Sequence, residues 1–90
     1  MPLAPECPTF SMRVSSAAGS ELRRLRMEAG LSQSEVARRL GSVRQVVRRA
    51  ENGQHGCTLA SCAAQAAACG GTLFHVLRAV DVALGMATDA

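Results

Sequence analysis

A single glycine between two short amphipathic segments constrains this sequence more than any other feature. The stretch from Ser32 to Gly53 reads SQSEVARRLGSVRQVVRRAENG, and Gly41 divides it into two segments whose apolar residues have helical spacing. Glycine readily adopts a left-handed backbone, so the first helix can end there and the second can leave at a steep angle. The stretch therefore predicts two short packed helices, the second of which presents a row of arginines to solvent.

Capping residues predict where the helices of the whole chain begin. Helix 1 is expected to start at Ser15 or Ser16. The other predicted N-caps are Ser32 for helix 2, Ser42 or Val43 for helix 3, Thr58 for helix 4 and Thr72 for helix 5. Ser32–Glu35 has the spacing of a capping box, and Ser42–Gln45 has that of a weaker one.

Apolar positions within these segments predict which side chains form the core. The predicted core residues are Ala18, Leu22, Leu25 and Ala29 in helix 1, Val36, Ala37 and Leu40 in helix 2, Val43, Val47 and Ala50 in helix 3, Leu59, Cys62, Ala63, Ala66 and Cys69 in helix 4, and Leu73, Val76, Leu77, Val80 and Leu84 in helix 5. The fold class expected from these patterns is all-α, a compact bundle of four or five helices.

The two ends of the chain differ from this middle part. Residues 1–15 contain all three prolines and are predicted to form a flexible arm. The alternation of Phe10, Met12 and Val14 leaves a short strand there as the alternative. Residues 16–73 are assigned to the folded domain. Residues 74–90 are predicted to form a helix and tail used in dimerisation, with a short strand near the end as the alternative.

The charge of the chain is concentrated in one region. Ninety residues form one small domain, and its formal net charge is +3. The segment from Ser20 to Gly53 has eight arginines and four glutamates. Such a basic segment favours a polyanionic partner, and a solvated helix face is the alternative interpretation.

Other functional classes are disfavoured by what the sequence lacks. It has no glycine-rich phosphate loop, no paired acids and no nucleophile motif, so an enzyme is not expected and no cofactor is predicted. No apolar run approaches the length of a membrane span, and no secretory signal is recognisable. The chain is therefore expected to be cytoplasmic, with its thiols reduced.

The four cysteines raise the question of a metal site. Cys57 lies two residues after His55, but the sequence has no Cys-x-x-Cys pair. Cys62 and Cys69 lie on the apolar side of helix 4, where buried aliphatic residues would also fit. Packing is therefore the preferred interpretation, no metal is predicted, and Cys7 has no assigned role.

Residues Leu22 to Leu73 resemble the Cro/cI-type helix-turn-helix domain of the Xre family, which has the lambda-repressor-like fold. AGLSQSEVARRLG resembles the end of helix 1, helix 2 and the turn of that family. VVRRAENG resembles its recognition helix and closing loop, and TLASCAAQAAACGGTL is similar in spacing to its fourth helix and the start of the fifth. Ala50 and Gln65 depart from the family, which usually has apolar residues at both positions and a large one at the first. These departures suggest a thinner core or a covering partner.

The resemblance implies particular roles for residues around the turn. Arg44 and Gln45 match positions that read base edges, and Arg48 and Arg49 lie one turn further along the same helix, where they could read bases or contact phosphate. The implied phosphate contacts are Gln33, Asn52 and Gly53. Apart from the resemblance, Ser32 is expected both to cap helix 2 and to help its first backbone amides bind a phosphate. Arg26 and Glu51 match a structural ion pair between helices 1 and 3.

The resemblance also implies a function, a sequence-specific DNA-binding regulator that represses from a palindromic operator as a homodimer. The candidate dimer interface is the apolar set Leu73, Phe74, Val76, Leu77 and Val80, whose alternative role is only to close the monomer core. Many small family members are antitoxins, so a toxin protein is a possible second partner. An adaptor that keeps the fold without reading DNA is the competing class.

Overall fold

Five α-helices make up the part of the chain that the computed structural model describes, residues 8–54 and 58–85. They are α1 (Pro8–Glu28), α2 (Gln33–Leu40), α3 (Arg44–Glu51), α4 (Leu59–Ala68) and α5 (Leu73–Ala83). Within those two ranges the structure contains no strand. The predicted all-α helical bundle is confirmed.

Helix α1 is longer at its N-terminal end than expected. It begins at Pro8, so the flexible arm, the start at Ser15 or Ser16 and the alternative strand are wrong for residues 8–15. Proline suits the first position of a helix because no intrahelical partner exists there for a backbone N–H. Arg13 Nη2 donates to the Ala83 carbonyl oxygen at 2.6 Å, which ties the added turns to the end of α5. Residues 1–7 of the predicted arm lie outside the described residues.

The turn at Gly41 separates α2 from α3 through its backbone conformation. Gly41 has φ 66°, and Ser32 Oγ caps the start of α2 by accepting from the Glu35 N–H at 3.0 Å. Val43, and not Ser42, is the N-cap of α3, and it makes no side-chain capping bond. The second predicted capping box is therefore absent. The first turn of α3 begins at Arg44, which leaves the side chain of Val43 exposed instead of in the core.

Two groups of buried side chains hold the helices together. The larger group joins α1, α3, α4 and α5, and its members are Ala18, Leu22, Leu25, Ala50, Cys62, Ala66 and Val76. The smaller group joins α2 and α3 through Val36, Ala37 and Val47. Ala29, Val43, Leu59 and Leu77 are exposed, so the core prediction is wrong for these four residues. Gln65 is buried, and its Nε2 has no hydrogen-bond partner among the described residues.

A close helix crossing sets the position of α1 relative to α3. A Cβ on the buried Gly19 would lie 2.5 Å from the Ala50 carbonyl oxygen and 2.6 Å from that of Glu51. Only glycine permits so close an approach of two backbones. The small side chain of Ala50 belongs to the same crossing. As a result, the α1 turn that follows Gly19 runs directly beside the C-terminal end of α3.

The last two helices meet at a sharp bend between Ala68 and Leu73. Thr72 and His75 form a capping box at the start of α5, in which the Thr72 N–H donates to His75 Nδ1 at 3.1 Å. Among the described helices, none alone is long and apolar enough to cross a membrane. Only α4 and α5 taken together, across a bend of 117°, pass that test of length and composition.

Candidate nucleic-acid interface

An open polar groove of about 660 Å³ lies between α1, the start of α2 and α3. Its lining residues are Ser20, Arg23, Arg26, Ser32, Gln33, Ser34, Arg44, Arg48, Glu51 and Asn52. We call Arg26, Gln33 and Glu51 the floor of the groove, and the exposed Arg23, Arg44 and Arg48 its rim. The groove thus collects seven of the ten residues to which the sequence assigned a DNA contact or the ion pair, together with Ser20, Arg23 and Ser34.

The floor is a hydrogen-bonded network that joins three helices. Arg26 and Glu51 pair through two bonds, Nε to Oε2 at 2.7 Å and Nη2 to Oε1 at 3.0 Å. Arg26 Nη1 also donates to the Leu31 carbonyl oxygen at 2.9 Å, and Gln33 Nε2 donates to Glu51 Oε1 at 3.2 Å. The Glu51 side chain is 2% exposed. The network therefore fixes α1, the start of α2 and the end of α3 relative to one another.

The electrostatics of the floor favour the ionised pair. Hydrogen bonding to Glu51 raises the pKa of Arg26, against the opposing effect of partial burial. The two-bond geometry satisfies both carboxylate oxygens, as a buried acid requires. The floor thus contributes no free charge to the groove.

The rim arginines differ from the floor in having no partner among the described residues. Of the described arginines, Arg23, Arg44, Arg48 and Arg49 make no hydrogen bond or ion pair with any described residue. All four are exposed. Their positive charges are consequently uncompensated at short range, and three of them line one groove.

The remaining described arginines are occupied in the fold. Arg24 pairs with Glu21 and Glu28, Arg38 pairs with Glu35, and Arg39 donates to the Ala68 carbonyl oxygen at 2.9 Å. Arg13 caps α5, and Arg78 also interacts within the fold. A high arginine content alone therefore does not identify the site, whereas the absence of a partner selects four of these residues.

The four proposed base-reading residues share the exposed side of α3. Arg44 and Arg48 are one turn apart and face the groove, since both line it. Gln45 and Arg49 are also one turn apart, adjacent to the first pair on the helix surface, and both are exposed. Val47 and Ala50, on the opposite side, are buried. The structure therefore brings all four side chains together on one accessible helix face.

The residues assigned to phosphate binding are arranged less uniformly. Ser32 is exposed, and because its oxygen accepts a bond from Glu35, its hydroxyl proton remains free to be donated. Gln33 donates its amide to Glu51 and so belongs to the floor. Asn52 is exposed and lines the groove. The Gly53 N–H donates to the Ala50 carbonyl oxygen at 3.2 Å, so Gly53 forms the turn and its amide is already used.

The predicted dimer interface on α5 is divided between core and surface. Val76 is 2% exposed and belongs to the core, so its assignment to a dimer interface is wrong. Leu73 and Val80 are partly buried against the same core. Phe74 and Leu77 are 66% and 45% exposed. The helical spacing of the five residues spreads them around more than one face, and only Phe74 and Leu77 form an outward patch.

The cysteines that the structure describes are packed in or near the core. Cys62 is buried and Cys69 is partly buried, and both are free thiols. Burial raises the pKa of the Cys69 thiol, which disfavours a reactive thiolate. No three metal-ligating side chains come together within residues 8–54 and 58–85. Cys7, His55 and Cys57 lie outside those ranges.

Sequence reasoning missed Arg23 and its neighbour Ser20. The predicted DNA contacts all lie on α2, α3 and the loop that follows α3, although α1 supplies one wall of the groove. The signal was present in the spacing, because Ser20, Arg23 and Arg26 follow one another at intervals of three residues on one side of a helix. Because Arg26 pairs with Glu51 of α3, the preceding turn of α1 must lie beside the same groove.

A comparison with known protein families gives one match. The family described as "Helix-turn-helix domain" matches residues 17–89, which include the groove, the exposed face of α3 and α5. A search of curated proteins gives no match. The family match covers most of the chain and agrees with the arrangement of α2, the Gly41 turn and α3, as well as with the resemblance to the Xre family. The chain therefore belongs to the helix-turn-helix domain family.

Proposed function

We propose that the protein is a transcriptional repressor that binds a palindromic operator as a homodimer, acting on cytoplasmic DNA. The observation that carries this proposal is the rim of the groove in a helix-turn-helix domain. Its three arginines are exposed and pair with no described residue, and two of them belong to the exposed face of α3. Uncompensated cations along one groove suit the closely spaced phosphates of a duplex. The function is one of binding and not of catalysis.

In this proposal α3 enters the major groove and its exposed face reads the bases. Arg44 would donate two hydrogen bonds to guanine O6 and N7, and Gln45 would pair with adenine N6 and N7. Each such pair contributes about 1–3 kcal/mol of discrimination against the wrong base. Arg48 and Arg49, one turn further on, extend the contact along the duplex or bind its phosphates.

Phosphate contacts at the ends of α2 and α3 would fix the position of the reading helix. Ser32 has a hydroxyl proton to donate, and the first backbone N–H groups of α2 form a site that suits an anion. Asn52 lies across the groove and provides a second donor. Gln33 and Gly53 act indirectly, since their donors are used by Glu51 and Ala50.

Dimerisation is proposed through the outward patch of α5, Phe74 and Leu77. A domain of this size reads only a few base pairs, and two half-sites about one helical turn apart would multiply its specificity. Both patch residues are large and apolar, and burial of such side chains drives association. We expect Phe74→Glu with Leu77→Glu to yield monomers in light scattering at tens of micromolar, while the wild type remains dimeric. A monomeric wild type would contradict this part of the proposal.

The proposed function is tested by selection from a random-sequence DNA pool. We expect the wild-type protein to enrich a palindromic sequence and to bind it with an affinity that falls steeply with salt. Enrichment of no sequence, together with binding that does not depend on salt, would overturn the proposal and favour the adaptor interpretation. Enrichment of a single half-site would support sequence-specific DNA binding but contradict binding as a homodimer.

A further inference from the structure

We propose that Arg23 of α1 binds a DNA phosphate, so that three helices and not two contact the duplex. The inference rests on the proposed function and adds to it a contact that neither the turn around Gly41 nor the reading face on α3 supplies. It assigns α1 a direct part in DNA binding in addition to its place in the core.

The position of Arg23 follows from the crossing of α1 and α3. Gly19 brings the α1 backbone within contact of the last turn of α3, so the next turn of α1 borders the groove. Arg23 and Ser20 both line that groove, as Arg44 and Arg48 of α3 do. A DNA backbone bound along the groove would therefore meet cations from two helices.

The availability of Arg23 is clearest beside its neighbour Arg24. Both are exposed arginines on α1. Arg24 is held by two acids of its own helix, since its Nε donates to Glu21 Oε1 at 2.8 Å and its Nη1 pairs with Glu28. Arg23 has no partner among the described residues. Only Arg23 can therefore offer its guanidinium to an incoming anion without first breaking an ion pair.

The chemistry of the contact favours phosphate over a base. A guanidinium binds two phosphate oxygens through parallel N–H groups. Arg23 lies on α1, three residues before the floor residue Arg26, whereas the proposed base-reading residues are all on α3. Contacts with the phosphate backbone position a protein but carry no sequence information. Arg23 should accordingly strengthen binding to every sequence by a similar factor.

The test compares Arg23→Gln with Arg24→Gln on one duplex, the sequence that the wild type selects from a random pool. The two variants lose the same charge at adjacent positions, so any long-range effect of net charge is matched. We expect Arg23→Gln to weaken binding roughly three- to tenfold near 100 mM salt and to reduce the slope of log K against log salt by about 0.9, the value for one phosphate contact. Arg24→Gln should have the same slope as the wild type. Arg23→Lys should have a slope close to that of the wild type, because the positive charge is retained.

Ethylation interference distinguishes a contact from an indirect effect. We expect that ethylation of one particular phosphate blocks DNA binding by the wild type but does not affect DNA binding by the Arg23→Gln variant. Both proteins should prefer the same DNA sequence. Equal affinities, slopes and interference patterns for the Arg23→Gln and Arg24→Gln variants would overturn the inference and leave the proposed function intact. Failure of the wild type to bind DNA in a salt-dependent way would instead overturn the proposed function itself.

Discussion

The floor and the rim of the groove use the same residue type in opposite states. On the floor, Arg26 gives its donors to Glu51 and to the Leu31 carbonyl and is largely buried. On the rim, Arg44 and Arg48 are exposed and donate to no described residue. The difference separates two tasks that the sequence alone combines in one basic segment. The floor sets the angles between helices, and the rim is left for a ligand.

Loss of the floor should produce the largest effect on stability. Glu51→Ala leaves Arg26 partly buried without its acid and removes the acceptor of Gln33. Breaking such a pair by removing one partner costs about 3 kcal/mol or more. We expect chemical denaturation to show a loss of this size. The control is Glu35→Ala, which removes an acid from a more exposed pair with Arg38 and should change the free energy of unfolding far less. If the two variants lost the same free energy of unfolding, the buried pair of the floor would stabilise the fold no more than an exposed pair.

Loss of a rim residue should affect DNA binding and leave stability unchanged. Arg44→Ala removes an exposed side chain that makes no hydrogen bond or ion pair with a described residue, so the free energy of unfolding should change by less than about 0.5 kcal/mol. Affinity for the selected operator should fall by about 1–3 kcal/mol, with relaxed preference at one base pair.

Arg38→Ala is the matched control for this experiment, since it removes the same charge from an exposed arginine that is paired with Glu35. We expect it to keep the base preference of the wild type. A change of preference at the same base pair in both variants would show that the unpaired state of the rim has no functional meaning.

Loss of an arginine that donates to a backbone carbonyl should reduce stability by an amount between those expected for Glu51→Ala and Arg44→Ala. Arg39→Ala removes the donor to the Ala68 carbonyl at the end of α4, a bond that joins α2 to α4. One such bond contributes about 0.5–1.5 kcal/mol. We expect thermal and chemical denaturation to detect this loss while the selected DNA sequence stays the same. A changed preference for DNA sequence would show that Arg39 takes part in DNA binding, as is proposed for the rim.

The smallest expected effect is the pH dependence of the Glu35 pair. Hydrogen bonding to Arg38, which outweighs desolvation, holds the pKa of Glu35 below its ordinary value of 4.5. A carboxyl whose pKa is lower in the folded state stabilises the fold above its unfolded pKa. That contribution is lost as the pH falls from about 4.5 through the folded value. Glu35→Gln should therefore slightly reduce the acid sensitivity of unfolding, measured as the denaturation midpoint between pH 6 and pH 3. An unchanged pH profile would show that the exposed pair contributes nothing.

Local signals predicted the parts of the fold that depend on neighbouring residues in the chain. Gly41 and the Ser32 cap gave the bounds of α2, and Thr58 and Thr72 gave the starts of α4 and α5. The start of α1 could not be predicted in this way, because the turns from Pro8 to Ser15 are tied to the distant end of α5 through Arg13. Apolar spacing likewise could not decide whether Val76 faced its own core or a second subunit.

The candidate site shows the same limit. The turn and the family resemblance pointed to α3, whose exposed face does bring Arg44, Gln45, Arg48 and Arg49 together. Neither of them distinguishes paired from unpaired arginines. Helical spacing alone does separate Arg24, which has Glu21 and Glu28 three and four residues away, from Arg23, which has no acid at those distances. Spacing could not show that Arg23 lines the groove, because that position depends on how α1 crosses α3.

The crossing at Gly19 limits how this protein could be given a new DNA specificity. Exposed positions of α3, such as Arg44 and Gln45, can be exchanged for other side chains because both are exposed and neither makes a hydrogen bond or ion pair with a described residue. Ala50 cannot be enlarged in the same graft, since its side chain is buried in the core and its carbonyl oxygen lies against Gly19 of α1. A recognition helix transplanted whole from a protein with a wider crossing would therefore have to bring its own first helix with it.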